Sequence, residues 1–466
     1  GDNEPLWIIN GFPGDINMIN TADIESVEVM KDASATAIYG SRGANGVILI
    51  KTKEAQKTGK VNVQFSASFG IQQMEKKLDV LTPAEWIAWR SEINNQNYVR
   101  AYGSKGAMAT DDYEIRLAYT GGSVNTSYIN DPRWTQPGYG DLMTIDWQDE
   151  VFRLAPKQNY TLSVSSYRVS LGYVDQKGIA INTSYKRLNL RANMQTTIFN
   201  RITLGVNLAP SMSWNNGGKA DAVAVLSMVP FAEPDHLLRE PEAGIYTGAE
   251  PYSRYSWAGT RVSPVATLER KSSMTEDARI NTSAFIRAEL FDGLRAEVTG
   301  SYNFRSTQAR SFLPSSISNR WNTGEGYYAT ANRTDGRNHS YLFQTLLNYD
   351  NSFGKHTVGA MAGFSLEART SYSSRLAATH FPDNLVESFD MTDVDLTTAY
   401  ATIGYPGRMA SFFGRLQYEY DNRYLMTASI RRDGSSKFGK NKRWGIFPAV
   451  SLAYRISNER FWPEDF

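Results

Sequence analysis

The chain has 466 residues, with 49 Lys and Arg against 48 Asp and Glu, for a formal net charge of +1. That balance argues against a nucleic-acid binder, which carries a basic excess or a basic stripe. The absence of cysteine removes disulfides, thiolate metal sites and cysteine nucleophiles. Four histidines, His236, His339, His356 and His380, are too far apart to form a short zinc-binding pair. The longest apolar run, "AVAVLSMVPF" from Ala222, falls short of the ~18 residues a membrane helix needs. Tyrosine is abundant, at 26 residues, and tyrosine favours strands and the boundary between water and apolar matter.

The first element in chain order is a compact α/β unit. Residues 24–31, "IESVEVMK", alternate weakly, as a strand does. Asp32 is placed to cap a short helix, "ASATAIY", which Gly40 ends, and "VILIKTK" forms a second strand after the turn "SRGANG". The glycines invite a phosphate-loop reading, but the spacing refuses it. Val47 follows Gly46 where a Walker loop needs Lys, and Gly40, Gly43 and Gly46 follow the helix where a dinucleotide fingerprint opens one. Small residues here serve tight packing, and no cofactor is expected.

Beyond residue 60 the pattern changes to period two. Leu294, Ala296, Val298, Gly300, Tyr302 and Phe304 alternate with Arg295, Glu297, Thr299, Ser301, Asn303 and Arg305. Such alternation is a β-strand with two different environments. The same holds at 187–195, 202–208, 279–290, 411–420, 424–431 and 450–457, and more weakly at 61–71, 158–164, 168–174, 340–350 and 356–368, giving about twelve strands. At about ten to twelve residues they match tilted strands that cross a bilayer rather than the ~5–6 residues of soluble sandwiches. Arg191, Arg287, Glu289, Arg295, Glu297, Arg415, Glu419 and Arg455 lie on the polar face, so that face must line a lumen and the apolar face must meet lipid.

Connections alternate in length. Short turns are expected at 165–167, 198–200, 291–293, 351–355 and 421–423, and long loops at about 73–157, 175–184, 215–278, 306–339, 369–409 and 432–446. An outer-membrane barrel has this asymmetry, with tight turns on the periplasmic side. Tyr420, Tyr424, Tyr349 and Phe291 sit beside short turns, where an aromatic girdle would lie.

Other constellations carry less. "DWQDE" at 146–150 reads as a solvated loop rather than a carboxylate pair for glycoside hydrolysis. Phe438 in "DGSSKFG" stands where a nucleophile elbow needs glycine. "LTPAEW" at 81–86 is a capping box, Thr82 with Glu85 and Pro83, and opens a short helix in the first long loop. Trp134, Trp257 and Trp321, in long loops, are candidates for stacking on a sugar or gripping a peptide side chain.

"PLWIINGFP" followed by "DIESVEVMKDASATAIYGSRGANGVILIKTK" resembles the second half of a TonB-dependent receptor plug, in the wording of the SusC-like transporters. "DWQDEVFRLAPKQNYTLSVS" is similar to their first barrel hairpin, and "GRLQYEYDNRYLMTASIRRDGSSKFGKNKRWGIFPAVSLAYRISNE" to their mid-barrel signature. Asn10 departs from the resemblance, since the family more often has Asp there. The resemblance implies an all-β transmembrane barrel of about 22 strands around a small α/β plug. It divides this chain into plug residues 1–57 and barrel residues 58–466, so that the chain starts inside the plug and stops part-way round the barrel. It further implies active import of an oligosaccharide or peptide across the outer membrane of a Gram-negative bacterium, and no enzymatic activity. The implied partners are a SusD-like lipoprotein lid, a TonB complex acting through an earlier segment, and outer-membrane lipid, with no nucleic acid. Asp32, Tyr39, Gly40, Arg42, Gly43 and Gly46 form the structural motif of the plug, in which Arg42 is expected to pair with a carboxylate of the plug or inner wall.

Overall fold

The computed structural model describes residues 4–16, 19, 21–31, 36, 39–40, 43, 45–53, 61–164, 168–218, 220–232, 257, 262–318, 321–322, 326–381, 394–459 and 461–462. Asp32, Arg42 and most of the short-helix segment between them lie outside these residues.

The N-terminal unit is a four-stranded sheet. Its strands are β1 (Leu6–Ile9), β2 (Phe12–Pro13), β3 (Ile24–Met30) and β4 (Val47–Thr52), in the order β2-β1-β4-β3. β1 runs parallel to β4, and the other neighbours are antiparallel. Asn10 and Gly11, at φ 50° and 89°, make the two-residue turn between β1 and β2. Asn-Gly suits that turn because both positions need left-handed backbone. Ile9, Ile19 and Ile50 form a small core, backed by Trp7, Ile24 and Ile48.

A second sheet of 13 antiparallel strands makes the wall. Its strands are β5 (Val63–Gln72), β6 (Ala155–Val164), β7 (Val169–Lys177), β8 (Ser184–Ile198), β9 (Ile202–Asn216), β10 (Ser272–Phe291) and β11 (Leu294–Leu313). It continues with β12 (Thr330–Phe353), β13 (His356–Thr379), β14 (Asp395–Ile403), β15 (Gly407–Tyr420), β16 (Tyr424–Ser435) and β17 (Trp444–Tyr454). Each strand pairs with the next in sequence, except that β13 gives its first part to β15 and its last part to β14. β5 and β17 end the run of paired strands, and β14 pairs with β13 alone.

Burial in the wall is the reverse of a soluble protein's. Val298 is 43% exposed and its neighbour Thr299 only 4%. Leu188, Leu190 and Met194 are exposed, while Asn189, Arg191 and Asn193 between them are buried. Apolar outside and polar inside is the arrangement a bilayer requires. The tight turns fall at one end, and most of their left-handed positions are filled by residues that tolerate them, Asn200, Gly293, Gly354, Asp421 and Asn422, while Phe199 and Arg168 are held there against their preference.

The strands outrun the expected lengths. β10 and β11 have 20 residues each, and β12 and β13 have 24 each. Much of 306–339 and 369–409, expected as loop, is therefore strand. Stretches such as "RTDGRNHS" at 333–340 are polar on both faces. Above the apolar band both faces are wet, so alternation vanishes while the hydrogen-bond ladder continues.

The same end carries small helices: α1 (Pro83–Tyr102), α2 (Tyr113–Tyr119), α3 (Trp147–Val151), α4 (Ala222–Leu226) and α5 (Pro264–Arg270). The capping box forms, with Glu85 Oε2 accepting from Thr82 N at 2.9 Å. α1 then runs for 20 residues, longer than the expected short helix. It buries only Trp86, Asn94 and Tyr98, too sparse a stripe for a helical period to show. Asp146 in "DWQDE" caps α3, and Lys77 bridges it to Asp149 at 3.0 and 2.5 Å. Burial works to raise the Asp146 carboxyl, but hydrogen bonds from Lys77 and the Gln148 amide outweigh it and hold the group below its ordinary range.

Candidate functional site: where the small domain meets the wall

The four-stranded domain touches the inner face of the wall at separated points, and these contacts are polar. Thr21–Asp23 forms a tight turn ahead of β3 that points Asp23 at the wall. Asp23 is 2% exposed. Ser170 of β7 donates from Oγ to Asp23 Oδ2 at 2.8 Å, and Arg168 Nη2 lies 3.4 Å from Oδ1. Arg168 itself, at φ 41°, closes the turn into β7. Arg191 of β8 stands opposite Ser170 in the register and feels the Asp23 charge. Hydrogen bonds to a charged group are worth about 1.5–3 kcal/mol, and removing one partner of a buried pair costs about 3–5 kcal/mol.

A second contact joins Asp15 to Arg279 of β10. Arg279 also grips Asp277 two residues earlier at 2.7 Å, and Arg305 of β11 reaches the same Asp277 at 2.7 Å. Asp277 is thus shared by two guanidinium groups, one of which takes a third charge from the small domain.

A third contact involves Gly40. A β-carbon there would stand 2.3 Å from Asp433 Oδ2 and 2.6 Å from Arg431 Nε, both on β16. Those wall residues form their own pair at 2.7 Å, and both are buried. Ser411 Oγ accepts from Arg431 Nη2 at 2.9 Å, and the guanidinium lies over the Phe413 ring at 5.0 Å. Gly40 also has φ 62°, so the position needs glycine twice over.

Between these contacts lies a cavity of about 590 Å³ whose lining is mixed, with Ile8, Leu49, Met194 and Phe285 beside polar groups from both sides. Asn10, Glu28 and Tyr39 line it from the small domain, and Asn207, Arg287 and Glu297 from the wall.

The other motif residues serve the small domain itself. A β-carbon on Gly43 would meet the Thr36 carbonyl at 2.9 Å, and Gly46 has φ 89°. Trp134 is 4% exposed and stacks edge-on against Trp86 and Trp257, in a cluster with Leu142, Val229 and Phe231. Buried in this way, Trp134 offers no free ring face to a ligand, a correction to the stacking expectation. Trp257 Nε1 donates to the Ile129 carbonyl at 3.0 Å. Trp321 lies in a short ribbon with Tyr327, and its side chain is outside the described residues. No group of three or more potential metal ligands occurs among the described residues.

The sequence reading missed Asp15, Asp23, Ser170 and the wall pairs. One signal was available: Asp277 and Arg279, Arg333 and Asp335, and Arg431 and Asp433 each sit two apart, hence on one face of a strand. Neutralised along their own strand, such charges mark a lumen wall rather than a lipid face.

An inverted wall of antiparallel strands holding a small α/β domain by its inner face is the architecture of a TonB-dependent receptor of the outer membrane. A family model described as the TonB-dependent receptor plug domain matches residues 1–47. The chain is similar to SusC of Bacteroides thetaiotaomicron, 28% identical over 98% of this chain and 44% of the relative. It is also similar to TonB-dependent receptor P3 of Formosa agariphila, 27% identical over 98% of this chain and 42% of the relative. In fold it matches the structure of the RagAB peptide transporter with a TM-score of 0.75, at 22% identity over 98% of this chain and 52% of that one. The chain is thus similar over nearly its whole length to TonB-dependent receptors, SusC among them, and it spans less than half the length of the curated relatives it matches.

Proposed function

We propose that this chain forms the plug and part of the barrel of an active importer, which carries oligosaccharides or peptides across the outer membrane of a Gram-negative bacterium. The carrying observation is the plug's attachment: a few separated polar contacts, centred on buried Asp23 with Ser170 and Arg168, and an open cavity between them in place of a packed interface. Such an interface holds at rest and yields to a pull, because each contact breaks separately and its groups find water afterwards. A TonB complex supplies the pull, and a SusD-like lipoprotein closes over the long-loop end, as SusC-like relatives suggest. The protein performs no covalent chemistry.

In this reading Asp32, Tyr39, Gly40, Arg42, Gly43 and Gly46 are structural parts of the plug and hold no nucleotide. Gly40 lets the plug lie against the Arg431–Asp433 pair, and Gly43 lets β4 approach Thr36.

The test is uptake by cells carrying the full-length receptor, with labelled oligosaccharides and labelled peptides offered separately. Uptake of one class should stop both on deletion of the gene and on collapse of the inner-membrane proton gradient. Uptake that persists without the gradient would make the protein a passive pore.

A further inference from the structure

The outer face of the wall is not a uniform apolar band. Across β10 to β17 it carries a groove of about 910 Å³. Small residues make the floor: Ala284, Gly300 and Ala410. Aromatic side chains, Tyr341, Phe343 and Trp444, stand along its sides, and all three are exposed. A β-carbon on Gly300 would meet nothing within 4 Å, so the floor is open. On Gly434 it would meet the Trp444 ring at 2.8 Å, so that ring is laid flat against the wall.

Register assigns these residues to the outer face. Gly300 pairs with Phe343, Phe343 with Leu366, Leu366 with Ala410, Ala410 with Gly434 and Gly434 with Trp444. Phe343 and Leu366 are ten residues from the strand ends Phe353 and His356 at the tight turns. At ~3.3 Å per residue and a tilt of about 40°, that is ~25 Å, the height of the apolar band. The groove therefore opens where the outer leaflet's headgroups begin.

Cations gather at that opening. Arg408 and Arg443 line the groove, and Arg432 lies over the Trp444 ring at 4.8 Å. Lys437, Lys440 and Lys442 follow in the adjoining hairpin, and no Asp or Glu occurs from Gly434 to Tyr454. Glu367, which also lines the groove, and Asp433 alternate to the inner side in the register, and Asp433 is paired with Arg431. Among the described residues no ion pair joins Arg408, Arg432 or Arg443 to a carboxylate. A strand added at the β17 edge would extend the sheet sideways and leave the groove uncovered.

We propose that this groove binds a lipid of the outer leaflet whose phosphates give it a net negative charge. Its acyl chains would lie over Gly300 between the aromatic ridges, and its phosphates would sit against Arg408 and Arg443. Apolar burial and charge-assisted hydrogen bonds then act on one molecule at once, which neither ordinary annular lipid nor free phosphate exploits. A protein contacting the basic hairpin alone would have no use for the groove below it.

The full-length receptor, extracted in mild detergent, tests this by native mass spectrometry with three probes: a bisphosphorylated lipid A, a phosphatidylethanolamine of matched chains, and inorganic phosphate. Lipid A should be retained about tenfold more strongly than phosphatidylethanolamine, a difference two phosphate contacts supply. Inorganic phosphate should not displace it. Arg408→Ala with Arg443→Ala should abolish the preference, and Gly300→Leu should lower retention of lipid A. Heat-modifiable gel mobility reports whether each variant folds, and the arginine pair, at the strand tops, stands as the test if Gly300→Leu does not. Equal retention of both lipids, displacement by phosphate, or a preference unchanged in the arginine variant would overturn the proposal. So would a variant that keeps lipid A but loses a co-purifying lipoprotein, since the cations would then serve a protein face.

Discussion

At the scale of single residues, the plug is positioned by groups that sequence inspection ranks low. Asp23 is one aspartate among 48 acidic residues, yet it is buried against the wall with Ser170 donating at 2.8 Å. Ser170→Ala leaves that carboxylate buried without its short hydrogen bond and should weaken docking by about 1–3 kcal/mol. Asp23→Ala leaves Arg168 without its partner and should weaken it by about 3–5 kcal/mol. Hydrogen exchange of the β3 and β4 amides in the purified receptor reads both. Faster exchange in that order is expected, and wild-type protection in both variants would show that the contact does not hold the plug. Asn10 presents a different case. Its amide nitrogen donates to Thr52 Oγ1 at 2.7 Å while its oxygen accepts from Thr52 N at 2.9 Å, and its φ of 50° suits asparagine. Asn10→Ala loses both hydrogen bonds and strains the turn, and should cost about 2 kcal/mol of plug stability. Asn10→Asp, the residue SusC-like sequences more often carry, keeps the acceptor and lets the Thr52 hydroxyl turn to donate, so it should cost under about 1 kcal/mol. Thermal unfolding of the two variants should separate them. Equal losses would mean that the Thr52 contacts contribute little.

At the scale of elements, one strand face decides the fate of a charge. Val298 and Thr299 are neighbours on β11 facing opposite sides, 43% and 4% exposed. Val298→Arg puts a guanidinium into lipid at a cost of about 2–4 kcal/mol, whereas Thr299→Arg points it toward the inner cavity that Glu297 and Gln344 also line. Yield of folded barrel in the membrane fraction should fall for the first variant and stay near wild type for the second. Equal yields would mean the faces are assigned wrongly. This alternation is also what made the wall legible in the sequence. Every strand core read from period two, from 61–71 to 450–457, lies within a strand of the sheet or overlaps one. The pattern failed where its physical cause ends. In β12, "RTDGRNHS" sits above the apolar band with water on both sides, so nothing in its composition marks it as strand, and only the ladder to β11 and β13 does. The capping box marked the start of α1, but its length hid for a related reason: it packs partly through Asn94, bonded to the Ile129 carbonyl and the Asn130 side chain, rather than through a continuous apolar stripe. The plug contacts were illegible because a side chain's partner 147 residues away leaves no local trace, as with Asp23 and Ser170.

At the scale of the whole molecule, the parts differ in how they are held. The wall is a continuous ladder whose exposed apolar face demands lipid or detergent, so the receptor should leave the membrane only with detergent. Recovery as a soluble monomer would contradict the wall's orientation. The plug, by contrast, has a core of three buried isoleucines, is fastened to the wall by charge and hydrogen bonds at β7 and β10, and lies close against β16 at Gly40. The account's central claim is that this attachment yields during import. No cysteine occurs in these residues, so a pair placed by substitution stands alone among them. Asp23→Cys with Ser170→Cys, closed by oxidation or a short thiol crosslinker, would fasten β7 to the turn before β3. Uptake of the labelled substrate should stop in the closed form and return when the disulfide is reduced. Import at the same rate by the crosslinked and reduced receptors would contradict the account.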